Sequence, residues 1–275
     1  MNYQPNNQFM YDPYKRSINY LRISVTDRCN LRCRYCMPEE GVELMPHDDI
    51  LSFDQIVEVV KEGVKNGISK IRLTGGEPLV RKGIVELVGM IAAVDGVEDL
   101  SMTTNGILLE KYAHELAGAG LKRVNVSLDT TNAERYRYIT RGGDIRNVFA
   151  GIEAAKNAAL TPIKINSVVN GSKHDEDALS VAEFGKIHGY QVRYIHQMDL
   201  ETGTFSKVDG GDGGNCASCN RLRLTADGKI RPCLFNSLGY NVKNLGVAQA
   251  YAEAVRNKPL SGTRDQSGKF YGIGG

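Results

Sequence analysis

The sequence predicts an α/β fold built on a parallel sheet, and three observations carry that expectation. Short β-rich runs alternate with amphipathic helical runs, six times, between about residues 20 and 198. Strand followed by helix, repeated, implies parallel strands joined by right-handed crossovers. The residues with chemistry to offer recur at the carboxyl ends of the strand candidates, where doubly wound sheets and (β/α) barrels both bind ligands. On this pattern alone, a sheet and a full or partial barrel both stay open.

The first strand candidate, LRISVT (21–26), runs into three cysteines. A helix is expected over 53–66. Ile56, Val59, Val60 and Val64 share one face at helical spacing, and Ser52 with Gln55 forms the capping box that starts it. KIRLT (70–74) is the second strand and leads into TGGEP (74–78), followed by a helix at 83–94. EDLSMT (98–103) ends in TTNG, with a helix at 109–118. RVNVSL (123–128) ends in SLD, with a helix at 145–158. IKINSVV (163–169) begins with Lys164 close to its start rather than its end, and a helix at 175–187 follows. QVRYI (191–195) is the sixth strand, with Met198 just beyond it. Residues 199–215 are rich in Gly and Asp without periodicity and read as a linker or mobile loop. Asp227-Gly228 then marks a hairpin turn in RLRLTADGKIRPCLF, and a helix is expected at 246–257 before a Gly-rich end, GIGG.

Composition narrows the function. The chain has 275 residues and a net charge of +2, which gives no reason to propose nucleic acid or an anionic membrane as partner. No run of about 18 apolar residues is present, and the polar N-terminal stretch lacks the apolar core of a signal peptide. The expected compartment is the cytoplasm, where thiols stay reduced.

The six cysteines fall into two groups of three: Cys29, Cys33 and Cys36 in C-x3-C-x2-C, and Cys216, Cys219 and Cys233 in C-x2-C-x13-C. Disulfides use cysteines in pairs, and a structural zinc site normally closes with four protein ligands. No histidine lies in the first cysteine loop. Three closely spaced cysteines suit an iron–sulfur cluster with one open iron. The competing reading is a zinc or cluster site that is only structural. In Gly75-Gly76-Glu77-Pro78, the glycines permit close approach of backbone to a ligand, and Glu77 is a candidate acceptor for a cationic group.

C-x3-C-x2-C followed by GGEP resembles the radical S-adenosylmethionine enzymes. The further segments TTNG, VSLD, IKINSVV and CNRLRLTADGKIRPCLF resemble, within that group, the GTP 3′,8-cyclases of molybdenum cofactor synthesis. The resemblance covers about residues 18–198 and 215–275. It implies a partial (β/α)6 barrel over 1–198, a linker over 199–215 and a small C-terminal iron–sulfur appendage over 216–275. It implies two [4Fe–4S] clusters, held by Cys29, Cys33 and Cys36 and by Cys216, Cys219 and Cys233. The first would chelate S-adenosylmethionine and cleave it to a hydrogen-abstracting radical, and the second would hold the guanine of GTP. Tyr35, Gly76, Ser127 and Met198 match cofactor contacts. Arg22, Arg72, Thr103, Lys164, Arg221 and Arg223 match GTP contacts, with Asn215 and Arg193 as further candidates. No side chain is expected to abstract hydrogen, since the cofactor carries that chemistry. An electron-donor protein is the implied partner, and a homodimer is admitted. The GIGG end matches a tail that reaches the active site. One departure stands out: the segment between Met198 and Cys216 is a few dozen residues shorter than in the family, which leaves open a sibling radical enzyme acting on another nucleotide or a peptide.

Overall fold

The computed structural model describes residues 9–265, so the GIGG tail lies outside the described residues. A two-stranded hairpin, β1 (Met10–Tyr11) and β2 (Ser17–Ile18), precedes β3 (Tyr20–Ser24), the first strand of the main sheet. The repeat then runs α1 (Phe53–Lys65), β4 (Lys70–Thr74), α2 (Ile84–Ala92), β5 (Asp99–Thr104), α3 (Leu109–Gly118) and β6 (Arg123–Ser127). Two helices follow, α4 (Ala133–Thr140) and α5 (Ile145–Asn157), then β7 (Lys164–Val169), α6 (Glu176–His188) and β8 (Gln191–His196). All six strand candidates form, and the Ser52–Gln55 capping box is present. The sequence pattern did not reveal α4, because only Tyr136 and Thr140 of its eight residues are buried and no apolar stripe marks it.

The C-terminal region continues the same sheet. β9 (Arg221–Leu224), β10 (Lys229–Arg231) and β11 (Tyr240–Asn241) precede α7 (Val242–Leu245) and α8 (Val247–Arg256). The strand order is β11-β10-β9-β3-β4-β5-β6-β7-β8, with β9 parallel to β3 and the β9–β10 pair antiparallel around Asp227-Gly228. β8 and β11 end the ladder without pairing to each other, so the barrel is partial. The helix α8 docks on α1 through Tyr251, whose hydroxyl donates to the Val59 carbonyl at 3.0 Å.

Residues 199–215, expected as a linker or mobile loop, carry bonds of their own. Tyr194 and Asp209 exchange backbone hydrogen bonds at 3.0 Å, which caps the outer edge of β8. The Asp212 carbonyl accepts from Arg221 at the start of β9 at 3.3 Å. The segment thus reaches from one side of the open barrel to the other. Its glycines conceal this from sequence inspection, because the bonds are made by backbone rather than by a periodic set of side chains.

Parallel strands covered on both sides usually read as continuous apolar runs. Here only one face does. Leu21, Ile23, Ile71, Leu73, Leu100, Met102, Val124, Val126, Ile165, Leu222 and Leu224 face the helices and are fully buried. The alternate positions, facing the barrel interior, are polar and largely basic. Among the described residues no helix is long and apolar enough to cross a membrane.

Candidate functional site

Strand register sorts the interior face into layers. Arg22 is level with Arg72 and Arg223, Arg72 with Ser101, and Ser101 with Arg123. The next layer toward the carboxyl ends holds Thr103, Asn125 and Lys164, and the one above it Ser127, Asn166 and Arg193. This explains Lys164: it begins β7, yet the stagger between strands sets it one layer above Arg72. Asp99 is the one carboxylate among the interior-facing strand positions, and it is taken by Arg123 through bonds of 3.1 and 2.6 Å. Arg72 donates to Ser101 Oγ at 3.2 Å, and Arg72 and Arg221 both lie within 5.6 Å of the Tyr20 ring centroid, a cation–π arrangement.

Burial and mutual repulsion leave these cations uneasy. Burial and then Arg223 hold the Arg22 guanidinium well below its ordinary range. Burial lowers Arg72, and lowers Lys164 with help from Arg193, Arg123 and Arg72. Arg193 Nε, Arg123 Nη1, Thr103 Oγ1 and both polar atoms of Asn125 are buried without a hydrogen-bond partner. Such orphans cost free energy unless something satisfies them. A polyanion with hydroxyl groups fits this surface.

The first triad lies at the carboxyl end of this face, on the loop after β3. Burial, with added repulsion from Glu77 and Cys36, pushes the Cys29 thiol up to about 11. Burial, Asp129 and the other two cysteines push Cys33 up to about 12, and burial raises Cys36. Three thiols that interact with one another and resist ionisation call for a strongly positive centre to take up their negative charge. Among the described residues, no three His, Cys, Asp or Glu side chains converge on a single-ion site. Three cysteines without a fourth protein ligand suit an iron–sulfur cluster with one open iron.

The helix α4 holds that loop in place. The last carbonyls of a helix lack intrahelical partners. Here Tyr138, Ile139 and Thr140 carbonyls accept from Arg34 Nε at 2.9 Å, Arg34 N at 3.0 Å and Arg32 N at 3.3 Å. Arg141 Nη1 returns the contact by donating to the Arg32 and Met37 carbonyls, each at 2.8 Å.

The GGEP loop is stitched to the same loop from the other side. Gly76 N donates to the Thr26 carbonyl and Glu77 N to the Arg28 carbonyl, both at 2.8 Å. A Cβ at Gly76 would fall 2.4 Å from the Arg28 carbonyl oxygen, and one at Gly75 would fall 2.7 Å from that of Thr26. The close approach that needs these glycines is to the cysteine loop itself. Glu77, expected to receive a cationic ligand group, is 1% exposed and already occupied. It accepts from Leu79 N at 3.0 Å, Thr104 Oγ1 at 2.8 Å and Asn105 N at 2.7 Å, joining TGGEP to TTNG. Burial pushes its carboxyl up to about 7, against the opposing pull of those hydrogen bonds.

Tyr35 donates its hydroxyl to Asp129 at 2.9 Å, and Asp129 also accepts from Val168 N at 2.8 Å. Both line a cavity of about 340 Å³ at the carboxyl ends of β6 and β7. Ser127 ends β6 nearby. Met198 lies apart from this cavity, packed beside Cys233 against Leu200, Leu234 and Phe235.

The second triad sits at the opposite end. Cys216 and Cys219 precede β9, which runs parallel to β3, and Cys233 follows the antiparallel β10. The two triads thus lie off opposite ends of the parallel strands, with the cationic layers between those ends. Asn215 stands just before Cys216 and makes no side-chain cap. Two residues here escaped sequence inspection. Arg16 donates to the Cys216 carbonyl at 2.6 Å, and buried Lys258 reaches Cys219 Sγ at 3.5 Å. Burial alone would raise the Cys219 thiol, but Lys258 and Arg221 hold it below its ordinary value.

Comparison with known proteins supports one family throughout. The radical SAM superfamily model matches residues 23–185. The chain is 43% identical to the GTP 3′,8-cyclase of Thermodesulfovibrio yellowstonii, over 90% of this chain and 91% of that protein. It is 42% identical to the GTP 3′,8-cyclase of Moorella thermoacetica, over 91% and 94%. The first alignment spans 293 positions against 275 residues here, so that relative has residues with no counterpart in this chain. The fold is similar to that of anSMEcpe with bound AdoMet, with a TM-score of 0.62 at 16% identity, covering 88% of this chain and 81% of that one. It is also similar to Streptococcus suis SuiB bound to S-adenosylmethionine, with a TM-score of 0.62 at 14% identity, covering 90% and 66%.

Two outcomes follow from the loop geometry. Gly76→Val forces backbone apart at Arg28, so iron incorporated at the first triad is expected to fall by roughly half or more, together with cofactor binding. Iron analysis after anaerobic reconstitution checks this, and full iron with intact cofactor affinity would contradict it. Glu77 ionises near pH 7 when folded, against about 4.3 unfolded. The folded chain holds a proton at Glu77 that the unfolded chain has lost, so the contribution of this group to stability is full below about pH 4.3 and is lost as pH rises to 7, by about 3 kcal/mol in all. Urea titrations of the metal-free protein at pH 5 and pH 8 are expected to show a smaller difference for Glu77→Gln than for the unmodified chain.

Proposed function

This chain belongs to the radical SAM superfamily and, within it, to the GTP 3′,8-cyclase family, and we propose that it joins ribose C3′ to guanine C8 of GTP, giving 3′,8-cyclo-7,8-dihydro-GTP for molybdenum cofactor synthesis. It is a lyase-type cyclase that uses S-adenosylmethionine and an iron–sulfur cluster. The observation that supports this most directly is the interior sheet face, whose cationic layers lie between two thiol triads. In this reading Cys29, Cys33 and Cys36 hold the catalytic [4Fe–4S] cluster, and Cys216, Cys219 and Cys233 hold a second that receives the guanine base. When bound, the first cluster and its cofactor supply the radical that abstracts hydrogen, with the electron coming from an external donor protein.

The chain's own residues bind, orient and shield. Arg22, Arg72, Lys164 and Arg223 hold the triphosphate with Arg221 and Arg193 at the margins, since guanidinium and ammonium groups match phosphate oxygens. Thr103 and Asn125 offer unpaired polar atoms to the nucleotide from the layer above Arg72. Tyr35, Gly76 and Ser127 are the cofactor contacts, while Met198, expected among them, packs in the cluster that contains Cys233. Of these, Tyr35 acts through its ring and backbone, because its hydroxyl is bonded to Asp129. Residues 199–215 span the open side of the barrel and limit water entry. The family resemblance puts the shortening of this chain in this stretch. That shortening is the one feature favouring a sibling enzyme on another nucleotide or a peptide.

The deciding experiment is anaerobic turnover of the reconstituted protein with S-adenosylmethionine, reductant and GTP, ATP or CTP, with product identification. Cyclised GTP alone supports the reading, and cofactor cleavage without any cyclised nucleotide favours the sibling enzyme. A charged hydrogen bond of the kind Arg72 offers is worth roughly 1.5–3 kcal/mol, so Arg72→Ala is expected to weaken GTP binding about tenfold or more. Calorimetry measures this, while cofactor cleavage without substrate is expected to survive.

A further inference from the structure

Lysine is almost never fully buried unless something pairs with it. Lys258, two residues beyond the end of α8, is 3% exposed. Its ammonium carries three hydrogens and finds three acceptors: the Arg221 carbonyl at 2.7 Å, the Pro232 carbonyl at 2.7 Å and Cys219 Sγ at 3.5 Å. Three donors facing three acceptors is the arrangement of a charged ammonium, since a neutral amine would turn a lone pair toward one of them. No carboxylate is among these partners. The groups nearby that can carry negative charge are the sulfurs of Cys219 and Cys233.

The contacts also hold the triad's geometry. The Arg221 carbonyl belongs to the strand that follows Cys216 and Cys219, and the Pro232 carbonyl immediately precedes Cys233. One ammonium therefore bridges both arms of the hairpin that bring the three cysteines together. Arg16 keeps the Lys258 segment in place by donating to the Pro259 carbonyl at 2.6 Å, the Leu260 carbonyl at 3.0 Å and the Cys216 carbonyl at 2.6 Å. At the first triad the charged groups that act on the thiols are the carboxyls of Glu77, on Cys29, and Asp129, on Cys33.

We propose that Lys258 is the fixed cation of the second triad, a positioning residue that donates a charged hydrogen bond to Cys219 and raises the reduction potential of the cluster held by Cys216, Cys219 and Cys233. This rests on the two-cluster reading above. A positive charge beside the sulfurs stabilises the more negative, reduced state, as hydrogen bonds and net charge do around clusters generally. The second cluster is then easier to reduce than the first, which suits a group that holds substrate rather than one that delivers an electron.

The test uses the full chain with Cys29, Cys33 and Cys36 replaced by Ala, so that all bound iron belongs to the second triad. Lys258→Met removes the charge and keeps the length, and Lys258→Arg keeps the charge. Iron content and a redox titration followed by electron paramagnetic resonance are measured for the parent and both variants. The expected result is retained iron in Lys258→Met with a reduced-to-oxidised ratio at least tenfold lower at a given potential, about 59 mV for one electron, and a smaller shift in Lys258→Arg. Equal potentials in parent and Lys258→Met overturn the proposal, as does loss of iron from both variants, which would make Lys258 purely structural. A parent that binds no iron overturns the two-cluster reading itself, a separate and distinguishable failure.

Discussion

Everything in this molecule follows from placing a crowd of cations on the inner face of a parallel sheet. Arg22, Arg72, Arg123, Lys164, Arg193, Arg221 and Arg223 occupy alternate positions on five of the strands and on the C-terminal hairpin, with Asp99 the one carboxylate in that set of strand positions. Like charges packed into adjacent layers repel one another, and burial adds to that cost. The fold bears this because the opposite face is largely apolar and packed against helices. In the proposed reading an anionic substrate offsets this repulsion, which gives the cationic face a role in binding.

The two ends of that face are built differently. At the carboxyl end, three neutral-leaning thiols sit on a loop held by the terminal carbonyls of α4, by Arg141 and by the GGEP backbone. At the other end, Lys258 donates to the Cys219 sulfur, and Arg16, paired with Asp12, ties down the Cys216 carbonyl. In the proposed reading a nucleotide lies between them, with its phosphates among the arginines and its base and sugar toward the triads. The chain thus orders substrate and cofactor by position along the strands, and the bond to be made is decided by which atoms the layers bring together.

Much of this was legible in the sequence. The six strand candidates, the capping box at Ser52 and the Asp227-Gly228 hairpin all appear within a residue or two of their expected bounds, because β-branched runs and cap chemistry act locally. The two cysteine groups and the arginines were also visible as motifs. What sequence could not supply was register. Lys164 looks misplaced at the start of its strand until stagger sets it level with Thr103 and Asn125. Glu77 reads as an acceptor for a ligand because it follows two glycines that permit close approach, whereas burial turns it into a tie between two loops. The helix α4 was missed because its work is done by terminal carbonyls, which leave no side-chain pattern. Lys258 and Arg16 were missed because a lone cation in a polar stretch ordinarily faces solvent, and only tertiary contact reveals otherwise.

The central claim is that the inner face holds a nucleotide by its triphosphate. Anaerobic calorimetry of GTP against guanosine on the reconstituted protein tests it most directly. Several charged contacts of roughly 1.5–3 kcal/mol each predict that guanosine binds at least a hundredfold more weakly than GTP, with the GTP affinity falling as salt rises. Equal affinities for the two, or a GTP affinity indifferent to salt, would contradict the account.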